Sequence, residues 1–436
     1  MKQDNEEPLP VDNQDNDTSK PSSSPPKVDT SNRALASHDF RLLLGGVAIS
    51  MMGQQMISVA IGWELYNQTS SALVLGGVGL AQILPIILLF LPAGYIIDRY
   101  NRKYIMIAAQ IMLVLASLAL AALSYGHGSL FLIYACLVAI GSAQAFSSPT
   151  SSTLVAQVIP DLAYENAMTW RSSVGQLSAV LGPAIGGFLI GILHDATFVF
   201  VINAVVATLF VILLFFMRVR PQKAPAFQQR TLSSLVDGLR FLGKTQVMLA
   251  AITLDLFAVL LGGATTLLPI FARDILHVGP IGLGWLQAAS SLGAVCMAYY
   301  LAHRPPFARA GRTLLLAVVC FGLITVLFGL SHWFWLSLLL LFLLGACDNI
   351  SVVIRSTLVL IRTPDEMRGR VSSVNSLFIG TSNQLGGFES GLTAQLFGPV
   401  IAVVAGGIGT ILVVILVARI WPDIRRLTTL REHSEI

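Results

Sequence analysis

In 436 residues the chain carries 11% charged and 55% hydrophobic side chains, with a formal net charge of +4. A soluble globular domain carries about 25% charged residues, so this surface cannot face water throughout, and lipid is the expected solvent. Cys136, Cys296, Cys320 and Cys347 stand apart inside apolar runs, with no CxxC pair or cysteine–histidine spacing; they fit small buried packing residues, and no metal or cofactor is expected.

Taken in chain order, residues 1–33 are polar, rich in Asp, Asn, Ser, Pro and Lys, and are expected to form a disordered cytoplasmic tail. They lack the basic-then-apolar pattern of a cleavable signal peptide, so the first apolar run is expected to remain as a membrane helix. A spanning helix needs about 20 mostly apolar residues. Such runs lie near 40–66, 74–96, 104–124, 129–149, 165–191 and 198–217, giving a first six-helix half over 34–217. A polar linker over 218–244 follows, in which Leu232, Leu235, Val236 and Leu239 recur at helical spacing; an amphipathic helix on the membrane surface is expected. Runs resume near 245–272, 281–301, 312–330, 334–357, 368–394 and 398–419, a second half over 245–420 before a tail over 421–436. Barrel strands are about 10 residues long and alternate in polarity, so the fold class is an all-α membrane protein of twelve transmembrane helices.

Lysine and arginine favour cytoplasmic loops. Arg99, Arg102 and Lys103 follow the second run, Arg218, Arg220, Lys223, Arg230, Arg240 and Lys244 the sixth, Arg304, Arg309 and Arg312 the eighth, and Arg362, Arg368 and Arg370 the tenth. The alternate connections carry none except Arg273. Both termini are therefore expected in the cytoplasm, the protein being multi-pass in a bacterial cytoplasmic membrane.

An internal repeat recurs at an offset of 204 residues: Ser152-Thr153-Leu154-Val155 returns as Ser356-Thr357-Leu358-Val359, Pro160-Asp161 as Pro364-Asp365, and Leu181-Gly182 as Leu385-Gly386. Gly187 falls on Gly391, and Gly79-Leu80-Ala81-Gln82 resembles Gly284-Trp285-Leu286-Gln287 at nearly the same offset. Six helices separate the copies, so the two six-helix halves are parallel, the arrangement used in alternating access with substrate held between halves.

After the second run comes Gly94-Tyr95-Ile96-Ile97-Asp98-Arg99-Tyr100-Asn101-Arg102-Lys103. It resembles the G-x-x-x-D-R-x-G-R-[RK] loop signature of the major facilitator superfamily, with Asn101 where glycine is usual. Gly94 would let helices approach, Asp98 can sit against a helix N-terminus, and Asn101 tolerates a left-handed turn. Gly182-Pro183-Ala184-Ile185-Gly186-Gly187 in the fifth run resembles the G-P-x-x-G-G core of the superfamily's antiporter motif, with Ser178 where an earlier glycine would stand; close helix packing explains these residues as well. Trp63-Glu64-Leu65-Tyr66, Gly79 to Pro85, Ser234 to Leu242 and Thr363 to Val371 are similar to the branch that holds the bacterial enterobactin exporter and macrolide-type efflux proteins. The resemblance implies the major facilitator fold. Members often carry an arginine in the fifth helix about where Gln176 stands, which puts a role for such an arginine in doubt here.

Charged groups at the bilayer centre cost about 2.5–3.5 kcal/mol on insertion scales. Asp255 lies some ten residues into the seventh run, close to the midplane, and is the first candidate for proton coupling or substrate contact. Glu64 and Glu389 lie near outer helix ends, where a solvated carboxylate is the plainer alternative. Asp348 and Arg355 are seven apart on one face of the tenth helix, an ion pair or gate contact. Gln54, Gln55, Gln82, Asn383 and Gln384 are uncharged candidates for a cavity lining, or helix–helix contacts. No phosphate-binding G-x-x-x-x-G-K-[ST] loop is present, and no catalytic constellation stands out; an enzyme is not expected. The resulting expectation is a proton-coupled secondary exporter of a siderophore or other amphipathic small molecule, acting as a monomer in the bilayer without nucleic acid. A multidrug pump, an importer on the same fold and a non-transporting scaffold are the alternatives.

Overall fold

The computed structural model describes residues 34–126, 128–160, 163–218, 232–305 and 307–427. The tail at 1–33, the linker segment 219–231 and the last residues 428–436 lie outside the described residues, and with them the disorder expected at the N-terminus.

The first half comprises α1 (His38–Thr69), α2 (Ala72–Arg99), α3 (Arg102–Tyr125), α4 (Leu130–Val158), α5 (Tyr164–Leu193) and α6 (Thr197–Phe216). The linker helix α7 (Leu232–Lys244) leads to α8 (Gln246–Leu261) and a short α9 (Leu268–Ile270), then α10 (Gly279–Ala302), α11 (Ala310–Gly329), α12 (Phe334–Arg362), α13 (Asp365–Phe397), α14 (Pro399–Ile420) and α15 (Asp423–Arg426). Local chemistry sets several ends. Ser37 caps α1 by accepting from the Phe40 N–H, and Ser70, at φ 48°, turns the chain out of it. Asn101 stays in the extended region at φ −64° and caps α3, its side chain accepting from Lys103 N–H at 2.9 Å. Its place in the loop thus rests on N-capping, not on the left-handed turn expected for it.

Among the described residues, eleven spans are long and apolar enough to cross a membrane. The twelfth, α13, is 33 residues long but interrupted by Asn375, Asn383, Gln384, Glu389 and Gln395. The seventh span is not the continuous helix expected over 245–272. Its α8 segment stops at Leu261; Gly262 and Gly263 follow, then a 3₁₀ turn over Ala264–Leu267, α9, and a π turn over Phe271–Ile275. Two successive glycines weaken the helix there. A Cβ built on Gly263 would lie 2.6 Å from the Gly386 carbonyl oxygen, so α13 approaches the break closely. Irregular backbone at membrane depth is tolerated where protein or a water-filled cavity surrounds it.

The two halves repeat one packing scheme. In the first, α1 packs on α5 and α6, α2 on α4, and α3 on α4 and α6; in the second, α8 packs on α13 and α14, α10 on α12, and α11 on α12 and α14. The halves meet through α5 with α10 and α2 with α13. Helices α1 and α14 place both ends of the described chain at one end of the bundle, here the near end. At the far end a single apolar cluster runs across both halves, from Ile61 and Leu65 to Leu267, Leu283 and Ala402. Toward the near end it gives way to separate clusters each confined to one half, around Phe40, Leu154 and Phe210 and around Ala93, Ile97 and Ile105 in the first and around Met248, Leu314 and Leu358 in the second. The halves are therefore fused at the far end and independent at the near end. Apolar side chains such as Leu88, Leu115, Phe216 and Leu416 cover the outside, as a lipid solvent requires.

Helix α7 forms as the spacing of its leucines predicts. It rests on the near end of α13, where Asp237 meets Arg370 at 3.4 Å and Gly238 lies against the Arg370 backbone. Leu242 is buried while Val236 and Leu239 stay exposed, an apolar edge turned away from the bundle.

Candidate functional site

A cavity of about 670 Å³ lies between the halves, bordered by α1, α2, α5, the broken seventh span, α10 and α13. Amides project into it from both halves: Gln55, Gln82, Gln287, Asn383 and Gln384. The break supplies the hydroxyls of Thr265 and Thr266, and α10 adds Ser290 and Ser291. Gln82 and Gln287 are repeat partners, so the lining is approximately two-fold. None of the residues lining it is ionisable. Such a surface offers paired donors and acceptors to an uncharged polar molecule and no fixed charge of either sign.

The far end of this cavity is sealed. Hydrogen bonds between the halves gather there: the Tyr66 hydroxyl donates to Asp274, Arg273 Nη1 donates to the Tyr66 carbonyl oxygen at 3.0 Å and to Ser70 Oγ at 3.3 Å, and Gln395 Oε1 accepts from Ser71 Oγ at 3.0 Å and Leu73 N–H at 3.4 Å. The Arg273 guanidinium also stacks over the Tyr66 ring, 5.4 Å from its centroid. The G-P-x-x-G-G segment completes the seal. Gly182 and Gly186 lie against Gln55 and Met56 of α1, while Gly187 meets the Pro280 carbonyl and the Gly284 backbone of α10. Its repeat partner Gly391 brings α13 against Ala72 and Gly76 of α2. Pro183 lines the cavity.

Asp255 does not face this cavity. It lies inside the second half, 7% exposed, and forms an ion pair with Arg355, which is 3% exposed. The partner of Arg355 is thus Asp255 of α8, and not Asp348 of its own helix; neighbouring helices bring charges together that sequence spacing cannot. Asp348 borders the same small void as Asp255, together with Ser351 and Cys347. Glu64 accepts from Gln68 Nε2 at 2.7 Å and Ser124 Oγ at 3.2 Å, on the α3 side of α1, and Glu389 accepts from Thr393 Oγ1 at 3.0 Å. Neither carboxylate lines the cavity. Gln176 is exposed on α5 and lines no cavity described here. Gln54 lines a separate cleft of about 210 Å³ within the first half.

The loop after α2 serves the near end. Gly94 is buried, and Asp98 is exposed without a hydrogen bond or ion pair among the described residues. Arg99 donates to the Tyr95 hydroxyl at 2.5 Å. Arg102 is buried, its Nε unpartnered among the described residues. Lys103 Nζ donates to the Phe215 and Met217 carbonyls at 3.1 and 2.8 Å, closing the C-terminal end of α6.

Gln287, Thr265 and Thr266 in the cavity, and Gln110 and Arg171 in the first-half cleft, do not stand out from the sequence as site residues. Gln287 was open to discovery as the repeat partner of Gln82, and Arg171 as a charge inside the fifth apolar run.

Two repeated helical bundles enclosing a polar cavity, closed at one end, define a membrane transporter and not an enzyme. The model of the Major Facilitator Superfamily matches residues 43–388; the chain belongs to that superfamily. It is 24% identical over 368 residues to the multidrug efflux pump Tap of Mycolicibacterium fortuitum, covering 82% of this chain and 89% of that protein. It is 25% identical over 405 residues to the enterobactin exporter EntS of Shigella boydii, covering 89% and 92%. The fold matches the crystal structure of a bacterial homolog of the human lysosomal transporter Spinster in an inward-facing, occupied conformation, with a TM-score of 0.68 at 15% identity over 91% of this chain and 98% of that one.

Proposed function

We propose that this transporter is a proton-coupled exporter of the bacterial cytoplasmic membrane, moving an amphipathic small molecule outward by alternating access between its halves. The cavity sealed at the far end carries the reading. Basic loops at the near end support assigning that end, and both termini, to the cytoplasm. The exporter names of the relatives support outward transport. The conformation described is then the one that loads from the cytoplasm, with Gln55 and Gln82 among the groups that contact substrate.

Coupling is assigned to Asp255. Its carboxylate pairs with Arg355, while that of Asp348 borders the same void with no ion pair of its own among the described residues, so the ionised cluster carries a surplus negative charge in a medium that opposes it. A proton taken up there neutralises the surplus and weakens the Asp255–Arg355 pair that ties α8 to α12, favouring the other state of the half. Asp255→Asn should abolish proton-driven flux while leaving substrate binding intact; full proton-driven transport by this variant would remove Asp255 from the reading.

Intracellular retention of a siderophore and of a fluorescent cationic drug, in cells with and without the gene, tests the function. Siderophore retained only in the deletion supports a dedicated siderophore exporter. Dye retained only in the deletion supports the multidrug reading, which the name of the Mycolicibacterium relative favours. No difference for either compound would return the importer and the scaffold to consideration.

A further inference from the structure

The repeat that relates the two halves also relates two interior clefts, and their chemistry has diverged. In the second half, Asp255, Asp348 and Ser351 border a void of only about 10 Å³, and the Asp255–Arg355 pair lies beside it. The same offset of 204 residues places Met51, Gln144, Ser147 and Ser151 at the positions of Asp255, Asp348, Ser351 and Arg355. Those four first-half residues line a cleft of about 210 Å³ within the first half.

At these positions the first half therefore lacks both carboxylates and the arginine of the second, and with them the ion pair. Yet a cation is present, supplied by a different helix. Arg171 of α5 enters the cleft half-buried, and among the described residues it has no ion pair and no hydrogen bond. It is the one charged group among the residues lining the cleft. Around it stand neutral groups with spare donors. Ser151 Oγ is buried without a partner, and Gln54 Nε2 reaches Ser50 Oγ, which reaches Gln110 Oε1, through long bonds of 3.4 and 3.5 Å. A guanidinium inside a helical bundle needs a counter-charge or a function, and its planar fork matches a carboxylate or phosphate oxygen pair. Gln54 lines the cleft and its neighbour Gln55 the central cavity, on different faces of α1.

We propose that the first-half cleft binds an anionic oxygen group of the transported molecule, with Arg171 as its cationic partner and Ser151 and Gln144 as supporting hydrogen-bond groups. The substrate is then an acidic amphiphile, held in the cleft by one carboxylate, phenolate or phosphate. This rests on the transporter reading above and selects within it, against cationic drugs.

The test measures binding, so that it stands apart from transport. Full-length protein in phosphatidylcholine nanodiscs is titrated with a size-graded series of dansyl-amino acids and with their methyl esters. The acids should bind about tenfold more tightly than the esters, the size of one charge-assisted hydrogen bond. Arg171→Gln should erase that preference without weakening the esters, while Arg171→Lys keeps most of it. Equal binding of acids and esters, no binding of any acid, or a preference that survives Arg171→Gln would overturn the proposal. Loss of the preference when phosphatidylglycerol is added would overturn it too, by assigning the cleft to a lipid headgroup. Proton-driven flux of the esters in proteoliposomes is read separately: its absence counts against the exporter, and its presence with no acid preference counts against the cleft alone.

Discussion

A methyl group at Gly187 should force the far-end seal open. A Cβ there would fall on the Pro280 carbonyl oxygen and lie 2.8 Å from Gly284 Cα. Both obstacles are backbone, so no side chain can rotate away, and α5 and α10 must separate. Overpacking of this kind costs about 1–3 kcal/mol. The two helices belong to different halves, so the cost falls on the state closed at the far end and is relieved in the state closed at the near end. A differential of that size changes the ratio of the two states by about 5- to 150-fold. The shift can be read with a single cysteine at Ser290, which lines the cavity, after Cys136, Cys296, Cys320 and Cys347 are replaced. A membrane-impermeant maleimide added from the far side should label Gly187→Ala at least about fivefold faster than the parent, by the same relation. Gly391→Ala, whose Cβ would lie 2.7 Å from the Ala72 carbonyl oxygen, should act likewise at α13 and α2. Gly45→Ala, with nothing within 4 Å of its Cβ, serves as the control. Unchanged labelling in folded Gly187→Ala and Gly391→Ala proteins, or equal acceleration in the control, would show that these glycine contacts do not hold the far end closed.

Asp255→Leu should orphan the Arg355 guanidinium and cost about 3–5 kcal/mol, seen as a lower Tm in detergent, whereas Asp255→Leu combined with Arg355→Leu should recover most of it. Arg273→Gln removes the charged donor to the Tyr66 carbonyl and Ser70 Oγ; at this partly exposed site about 1 kcal/mol is expected, read as faster far-side labelling of the Ser290 cysteine. Lys103→Met releases the Phe215 and Met217 carbonyls and should lower stability by about 1 kcal/mol, with faster hydrogen exchange confined to the α6 terminus and the start of α3.

The spans were legible because a membrane helix must be long and apolar whatever its neighbours, and the parallel halves because the repeat survives in register from Ser152 to Gly187. The break at Gly262 and Gly263 was hidden by continuous apolarity through residues 245–272; two glycines weaken a helix, and the approach of α13 at Gly386 completes the break. Heptad spacing suggested a pair between Asp348 and Arg355, but the partner comes from α8, a hundred positions back in the chain. Packing between helices decides such pairs, and sequence spacing within one helix is silent on it. The same limit explains the cavity. Gln55 and Gln82 were legible as polar residues in apolar runs, whereas Thr265 and Thr266 acquire their role only from the broken helix, and Asp255, the most conspicuous charge, is turned away from the cavity by the rotation of α8.

A seal that must open repeatedly cannot be an interlocked core. The direct backbone approaches between the halves occur where glycines stand, at Gly187 with Gly284 and at Gly76 with Gly391, so these surfaces part without side chains having to disengage. Polar closure is concentrated at the rim, in Tyr66, Arg273, Asp274 and Gln395, where water can take over each hydrogen bond as the halves separate. Inside each half the opposite holds: the buried pair of Asp255 and Arg355 and the contacts of Asn203 with Ser117 have no solvent to replace them. Motion is thereby directed to the boundary between halves. The polar groups lining the cavity at that boundary exchange water for substrate at little net cost, which suits binding that must be reversed in every cycle.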